Sequence, residues 1–253
     1  MHIEKYRPCD LLKPFVQTYM IVESEFGMDS HVLPGTSLVL AFRCQGTVAS
    51  DGQDLPGSMV TGLRKSRRIL RYSPQTSTLL VAFTEGGASA FFSAPLHELF
   101  GETVALENLI PRHKLNRVEG LIVEAATDMD RICLAEQFLY SELKTAQADL
   151  LILEAVRKIR MSGGNQRIHD LAADLHLSLD PFEKRFRRAV GASPKQFSSI
   201  VRLRNVIGGY SPDRSLSEAA HAAGYFDQSH FIKDFQTFTG AAPKEFFQSG
   251  SYW

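Results

Sequence analysis

Cysteine is scarce in this 253-residue chain. Cys9, Cys44 and Cys133 are odd in number and widely separated, which gives no disulfide framework and no Cys-x-x-Cys motif and suits a reducing cytoplasm. Apolar runs long enough to span a bilayer are also missing, so no membrane partner is expected. The amino terminus lacks a basic stretch followed by a long apolar one, and secretion is not expected either. Glu85-Gly86-Gly87 has no following Lys and Ser or Thr, so it reads as a turn rather than a phosphate loop. His31, His97 and His113 stand alone, without the closely spaced His-x-His of a metal-binding strand, and neither a metal nor a cofactor is expected. Neither sign of charge dominates: 28 Lys plus Arg face 28 Asp plus Glu.

The chain does hold enough apolar residues, 44%, for a core in each of two domains, the number its length favours. The halves differ in charge. Residues 150 to 253 carry a net +4 and residues 1 to 149 a net −4, a modest basic excess of the kind a phosphate-binding module needs. Segments rich in β-branched and aromatic residues (15–22, 37–43, 59–63, 67–72 and 78–83) are punctuated by Pro34-Gly35, Asp51-Gly52, Pro56-Gly57 and Ser73-Pro74. Helical patterns follow at 88–93, 95–100, 115–127 and 130–143, the last two with apolar stripes suited to packing on each other or across a dimer. The fold class expected is therefore α+β in two domains: a small β-barrel followed by helices over 1–145, and an all-α domain over 149–253, with Thr145 to Asp149 as the hinge. Arg64, Lys65, Arg67, Arg68 and Arg71 read as a solvated loop and strand face, with an anionic effector or DNA as the alternative.

The last third contains a repeat. Phe182, Phe186, Gly191, Pro194, Lys195 and Phe197 recur at an offset of 49 as Phe231, Phe235, Gly240, Pro243, Lys244 and Phe246. Each copy follows a short helical segment, 168–175 or 216–223, so the unit reads helix, turn, helix, Gly, Pro: a helix-turn-helix present twice. In the second copy Ser215 and Glu218 make a capping box, Gly224 turns the chain, and Asp227 caps a helix whose Phe231, Phe235 and Phe238 form a buried stripe. Gln228, Ser229, Ile232 and Lys233 then face outward. In the first copy Ser178 caps the second helix and Asp180, Glu183, Lys184, Arg187 and Arg188 face outward. A helix over 195–207, stopped by Gly208 and Gly209, joins the two units.

From Gly224 through Asp227, Gln228, Ser229, His230, Phe231, Phe235, Phe238, Thr239, Gly240 and Pro243 to Phe246 the chain resembles the signature of the AraC/XylS family of bacterial transcription regulators. The resemblance covers roughly residues 149 to 248. It implies about seven helices, with the second helix of each unit entering the major groove of double-stranded promoter DNA, and RNA polymerase as a further partner. It implies base contacts at Asp180, Glu183 and Lys184 in the first unit and at Gln228, Ser229, Ile232 and Lys233 in the second, since Gln pairs with adenine, Lys donates to guanine and Glu accepts from cytosine. Arg187, Arg188, Lys195 and Lys244 become phosphate contacts, which position the protein without reading sequence. Phe226 departs from the pattern, standing where a serine cap is common. Leu33-Pro34-Gly35, Thr61-Gly62 and the 83–88 turn resemble the cupin-like N-terminal domain of one branch of the family, which implies a small-molecule effector, a homodimer or both. Two other readings stay open: a ligand-binding or scaffold protein with degenerate DNA-binding units, and a DNA alkyl-repair regulator, for which no reactive cysteine cluster is visible.

Overall fold

The computed structural model describes residues 1–144, 149–210, 216–225 and 227–249. Two long strands carry the N-terminal half. β2 (Val16–Val32) and β7 (Arg68–Phe83) pair antiparallel from Val16 opposite Phe83 to Val32 opposite Arg68. The expected division of β7 at Ser73-Pro74 is thus corrected. Pro74 pairs with Phe26 on one side, while on the other it falls between the rungs to β3 (Val39–Gln45), which end at Ser77, and those to β4 (Val48–Ser50), which begin at Tyr72.

The sheet runs in the order β1 (His2–Tyr6), β2, β7, β3, β6 (Ser58–Thr61) and β8 (Thr103–Ala105), with β4 paired to β7 and to β5 (Gln53–Asp54). The path ends at β1 and β8 with no pairing between them among the described residues, so a closed barrel gives way to an open antiparallel sheet. β1, β4, β5 and β8 were not anticipated, because short or polar strands show no apolar alternation. The helices expected over 88–93 and 95–100 are single 3₁₀ turns, Gly87–Ala90 and Leu96–Leu99.

α1 (Arg112–Glu124) and α2 (Asp128–Glu142) cover the sheet. Leu115, Val118 and Ile122 form the buried stripe of α1, and Phe138 of α2 meets Phe42 of β3 edge-on, centroids 5.9 Å apart. Seven helices follow among the described residues: α3 (Leu150–Met161), α4 (Ile168–Asp174), α5 (Leu179–Val190), α6 (Pro194–Gly208), α7 (Leu216–Ala222), α8 (Gln228–Thr239) and α9 (Pro243–Ser249). Of the expected hinge, residues 145–148 lie outside the described residues. Asp149 accepts the Ile152 N–H at 3.3 Å and takes a forked pair of bonds from Arg185 at 2.7 and 2.9 Å. The buried residues of both halves form one contiguous cluster, from Leu12 to Phe246.

Candidate nucleic-acid interface

The two helix-turn-helix units repeat in three dimensions what they repeat in sequence. At the end of α4 the Leu177 N–H donates to Ala172 O and the His176 N–H to Ala173 O; at the end of α7 Tyr225 donates to Ala220 O and Gly224 to His221 O, at 2.9 to 3.0 Å in all four cases. These paired bonds are the Schellman closure of a helix, which requires a left-handed residue just past the end. Gly224 fills that position in the second unit with φ 75°, and His176 in the first with φ 55°. A Cβ on Gly224 would also meet the terminal amide of Asn165, from the loop ahead of α4, which would have to turn aside.

Each second helix is anchored by the same ring pairs. Phe182 and Phe186 in α5, and Phe231 and Phe235 in α8, are fully buried, with centroids 5.8 and 5.5 Å apart. Phe186 meets Phe197 at 5.7 Å, and its counterpart Phe235 meets Phe246 at 5.2 Å. Gly191 (φ 89°) and Gly240 (φ 74°) close the helices, donating to Arg187 O and Gln236 O, and Pro194 and Pro243 open the helices that follow. Ser193 and Gln196 form a full capping box at the start of α6. Arg202 of α6 stacks over the Tyr225 ring at 5.3 Å and donates to Gly164 O at 3.0 Å, tying the turn of the second unit to the loop ahead of the first.

The caps differ from expectation in one place. Asp227 accepts the His230 N–H at 2.8 Å, whereas Ser178 occupies the equivalent cap position without a side-chain bond. Ser215 and Phe226, assigned from the sequence to a capping box and to a cap position, lie outside the described residues.

With the aromatic stripes turned inward, α5 exposes Asp180, Lys184, Arg187 and Arg188, and α8 exposes Gln228, Ser229 and Lys233. Glu183 is half-buried and pairs with Arg187 one turn later at 3.1 Å, so the acid that repels phosphate is partly neutralised within its own helix. Gln228 accepts from Ser217 of α7 at 3.2 Å, and Ile232 is half-buried against the core rather than fully outward. Lys195 and Lys244 are exposed, each one residue past the proline that opens its helix.

The N-terminal half reaches the C-terminal end of both second helices. Gly191, closing α5, lies against Leu38 and the main chain of Leu96. At α8 the Arg67 N–H donates to Phe238 O at 2.7 Å, and its guanidinium lies so close to Gly240 that a Cβ would meet it. A cation there faces the negative end of the helix dipole. Arg160 of α3 pairs with Glu85, which also accepts from Thr36 at 2.9 Å, and Arg204 of α6 donates to Pro34 O at 3.1 Å. No signal in the sequence marks Arg67 for this contact, because its partners are more than 170 residues away. Among the described residues no three His, Cys, Asp or Glu side chains gather as a metal site. Cys44 is buried, which pushes its thiol pKa up and away from reactivity.

Residues 171–249 match a helix-turn-helix domain family, spanning both units described above. The C-terminal half is a helix-turn-helix domain of the AraC/XylS type. Residues 4–105, ahead of this AraC-type domain, match a domain of unknown function, DUF6597. The Msm operon regulatory protein of Streptococcus mutans is 30% identical over 117 residues, 45% of this chain and 42% of that protein, so the chain matches less than half the length of this curated relative. Among solved structures, ToxT from Vibrio cholerae aligns over 91% of this chain and 97% of its own at 10% identity with a TM-score of 0.48. The AraC-like transcriptional activator CuxR aligns over 83% and 86% at 14% identity, TM-score 0.23.

Proposed function

We propose that the chain is a one-component transcription regulator in which residues 149–253 bind promoter DNA and residues 1–145 modulate that binding. The observation that carries this is the duplication itself: two helices with identical ring anchors, turns and glycine stops, each presenting an exposed polar face, on one shared connecting helix. Core packing requires the phenylalanines but does not require the same punctuation twice. In this reading Lys184, Gln228, Ser229 and Lys233 meet base edges, and Arg188, Lys195 and Lys244 meet phosphates. Half-buried Ile232 supplies apolar contact beside a base methyl, and Arg187 reaches a phosphate when it leaves Glu183. RNA polymerase is the further partner, recruited to a bound promoter in activation or occluded from it in repression.

The N-terminal half contacts the C-terminal ends of α5 and α8, and this is the route by which an effector or a homodimer contact would reach the DNA face. Selection of genomic fragments by the purified full chain at about physiological salt tests the proposal. Two short blocks about one helical turn, roughly 34 Å, apart in the retained sequences support it. Retention without any motif, in the presence and absence of cell metabolites, overturns it.

A further inference from the structure

We propose that Arg64 and Arg68, with the hydroxyls of Ser50, Thr61 and Thr103, form a binding site for a phosphate group carried by a small metabolite. The site lies wholly within the N-terminal half, so it stands apart from the DNA-binding reading. Arg68 opens β7 and is 9% exposed. Its Nε donates to Ser50 Oγ at 3.0 Å, and one terminal nitrogen donates to Thr103 Oγ1 at 2.7 Å and to Thr61 Oγ1 at 3.5 Å. Arg64, half-buried at the rim, points a terminal nitrogen at the same Thr103 Oγ1 at 3.5 Å. Two guanidinium groups thus converge on one hydroxyl.

Neither arginine makes an ion pair among the described residues. Asp51 acts on both arginines and Glu102 on Arg64 only through space, and Asp51 is engaged by Ser50 Oγ at 3.2 Å. Burial, with Arg64 beside it, lowers the Arg68 pKa to about 10, so Arg68 keeps its charge at neutral pH, and burial also lowers the pKa of Arg64. Taking two like charges out of water with no carboxylate bonded to either is costly, and a buried guanidinium ordinarily makes a direct ion pair. A phosphate dianion matches the double charge, and its three oxygens accept from several donors at once, whereas a carboxylate matches neither. The site is also coupled to the AraC-type domain. Arg67, next in the chain, holds the end of α8 through its main-chain N–H.

Isothermal titration of the full chain with inorganic phosphate, and in parallel with glucose 6-phosphate, tests this. Saturable one-to-one binding that sulfate competes and acetate does not, weakened about tenfold or more in R64Q and in T103V, is the expected result. R64Q leaves the bonds of buried Arg68 intact, whereas T103V removes its 2.7 Å acceptor, so each is checked first for an unchanged melting temperature. Tighter binding of glucose 6-phosphate marks a metabolite site, and equal binding marks free phosphate. Absence of saturable binding overturns the proposal. So does unchanged affinity in both variants, which would place the anion on the DNA-binding surface. A loss of DNA affinity in R64Q with phosphate binding intact would reassign Arg64 to the DNA backbone.

Discussion

The left-handed position at the two turns allows one substitution to be tested in both directions. A left-handed backbone costs an L-residue about 1–2 kcal/mol, whereas glycine gives up roughly 0.4–1 kcal/mol of extra chain entropy on folding. Gly224→Ala therefore loses up to about 1.6 kcal/mol from the backbone alone. Its new Cβ also strikes the terminal amide of Asn165, and driving that side chain from its rotamer adds about 0.5–1.5 kcal/mol. His176 is exposed and sits at the matching position with φ 55°, so His176→Gly is expected to be neutral or to stabilise by about 1 kcal/mol at most. Urea denaturation of the full chain at constant m-value measures both. Adding Asn165→Ala to Gly224→Ala should recover the collision part and leave the backbone part. A destabilising His176→Gly, or a Gly224→Ala that loses nothing, would refute the claim that the two turns share one geometry.

Phe186→Ala and Phe235→Ala each remove a fully buried ring from an equivalent anchor and should cost about 3–5 kcal/mol apiece in the same urea assay. If only one does, the two units are not equivalently packed. Lys233→Ala should lower DNA affinity and relax preference at one base position, whereas Arg188→Ala should weaken binding across sequences and reduce the salt slope by about one. Fragment binding measured across a salt series separates them, and wild-type affinity in both would misplace the DNA face. Burial, reinforced by Asp234 and opposed by Arg202, raises the Tyr225 pKa to about 12 from 10.0. The folded state thus keeps a proton that the unfolded chain releases above pH 10, so this contribution is intact below pH 10 and is lost as pH rises toward 12. Tyr225→Phe should flatten the fall in stability between pH 10 and 12, and an unchanged slope would assign it to other tyrosines.

The N-terminal contacts on α5 and α8 give the molecule a different character from two domains on a flexible tether. Asp149 holds α3 and α5 together through one carboxylate, and the buried cluster runs unbroken between the halves. A shift of the loop that carries Arg67 is felt at the end of α8 without passing through the chain linking the halves.

What the sequence by itself determined is what depends on neighbours a few residues apart. The repeat at 49, the phenylalanine stripes, Gly224, the Asp227 cap, the glycine stops and the proline starts were legible, because helix periodicity and capping act over one or two turns. The outward faces followed by subtraction, and Glu183 and Ile232 are more covered than subtraction implied. Tertiary structure alone decided what depends on distant partners. β7 runs unbroken past Pro74 because β2 pairs along its length, and His176 is held left-handed by the closure of α4. Arg68, one of a basic run that reads as solvated, is buried because Ser50, Thr61 and Thr103 come from three other segments of the chain. Arg67 meets α8 across more than 170 residues. Short-range pattern encodes each element, but the surroundings of a long polar side chain are set by whatever the fold brings beside it, and no local spacing records that.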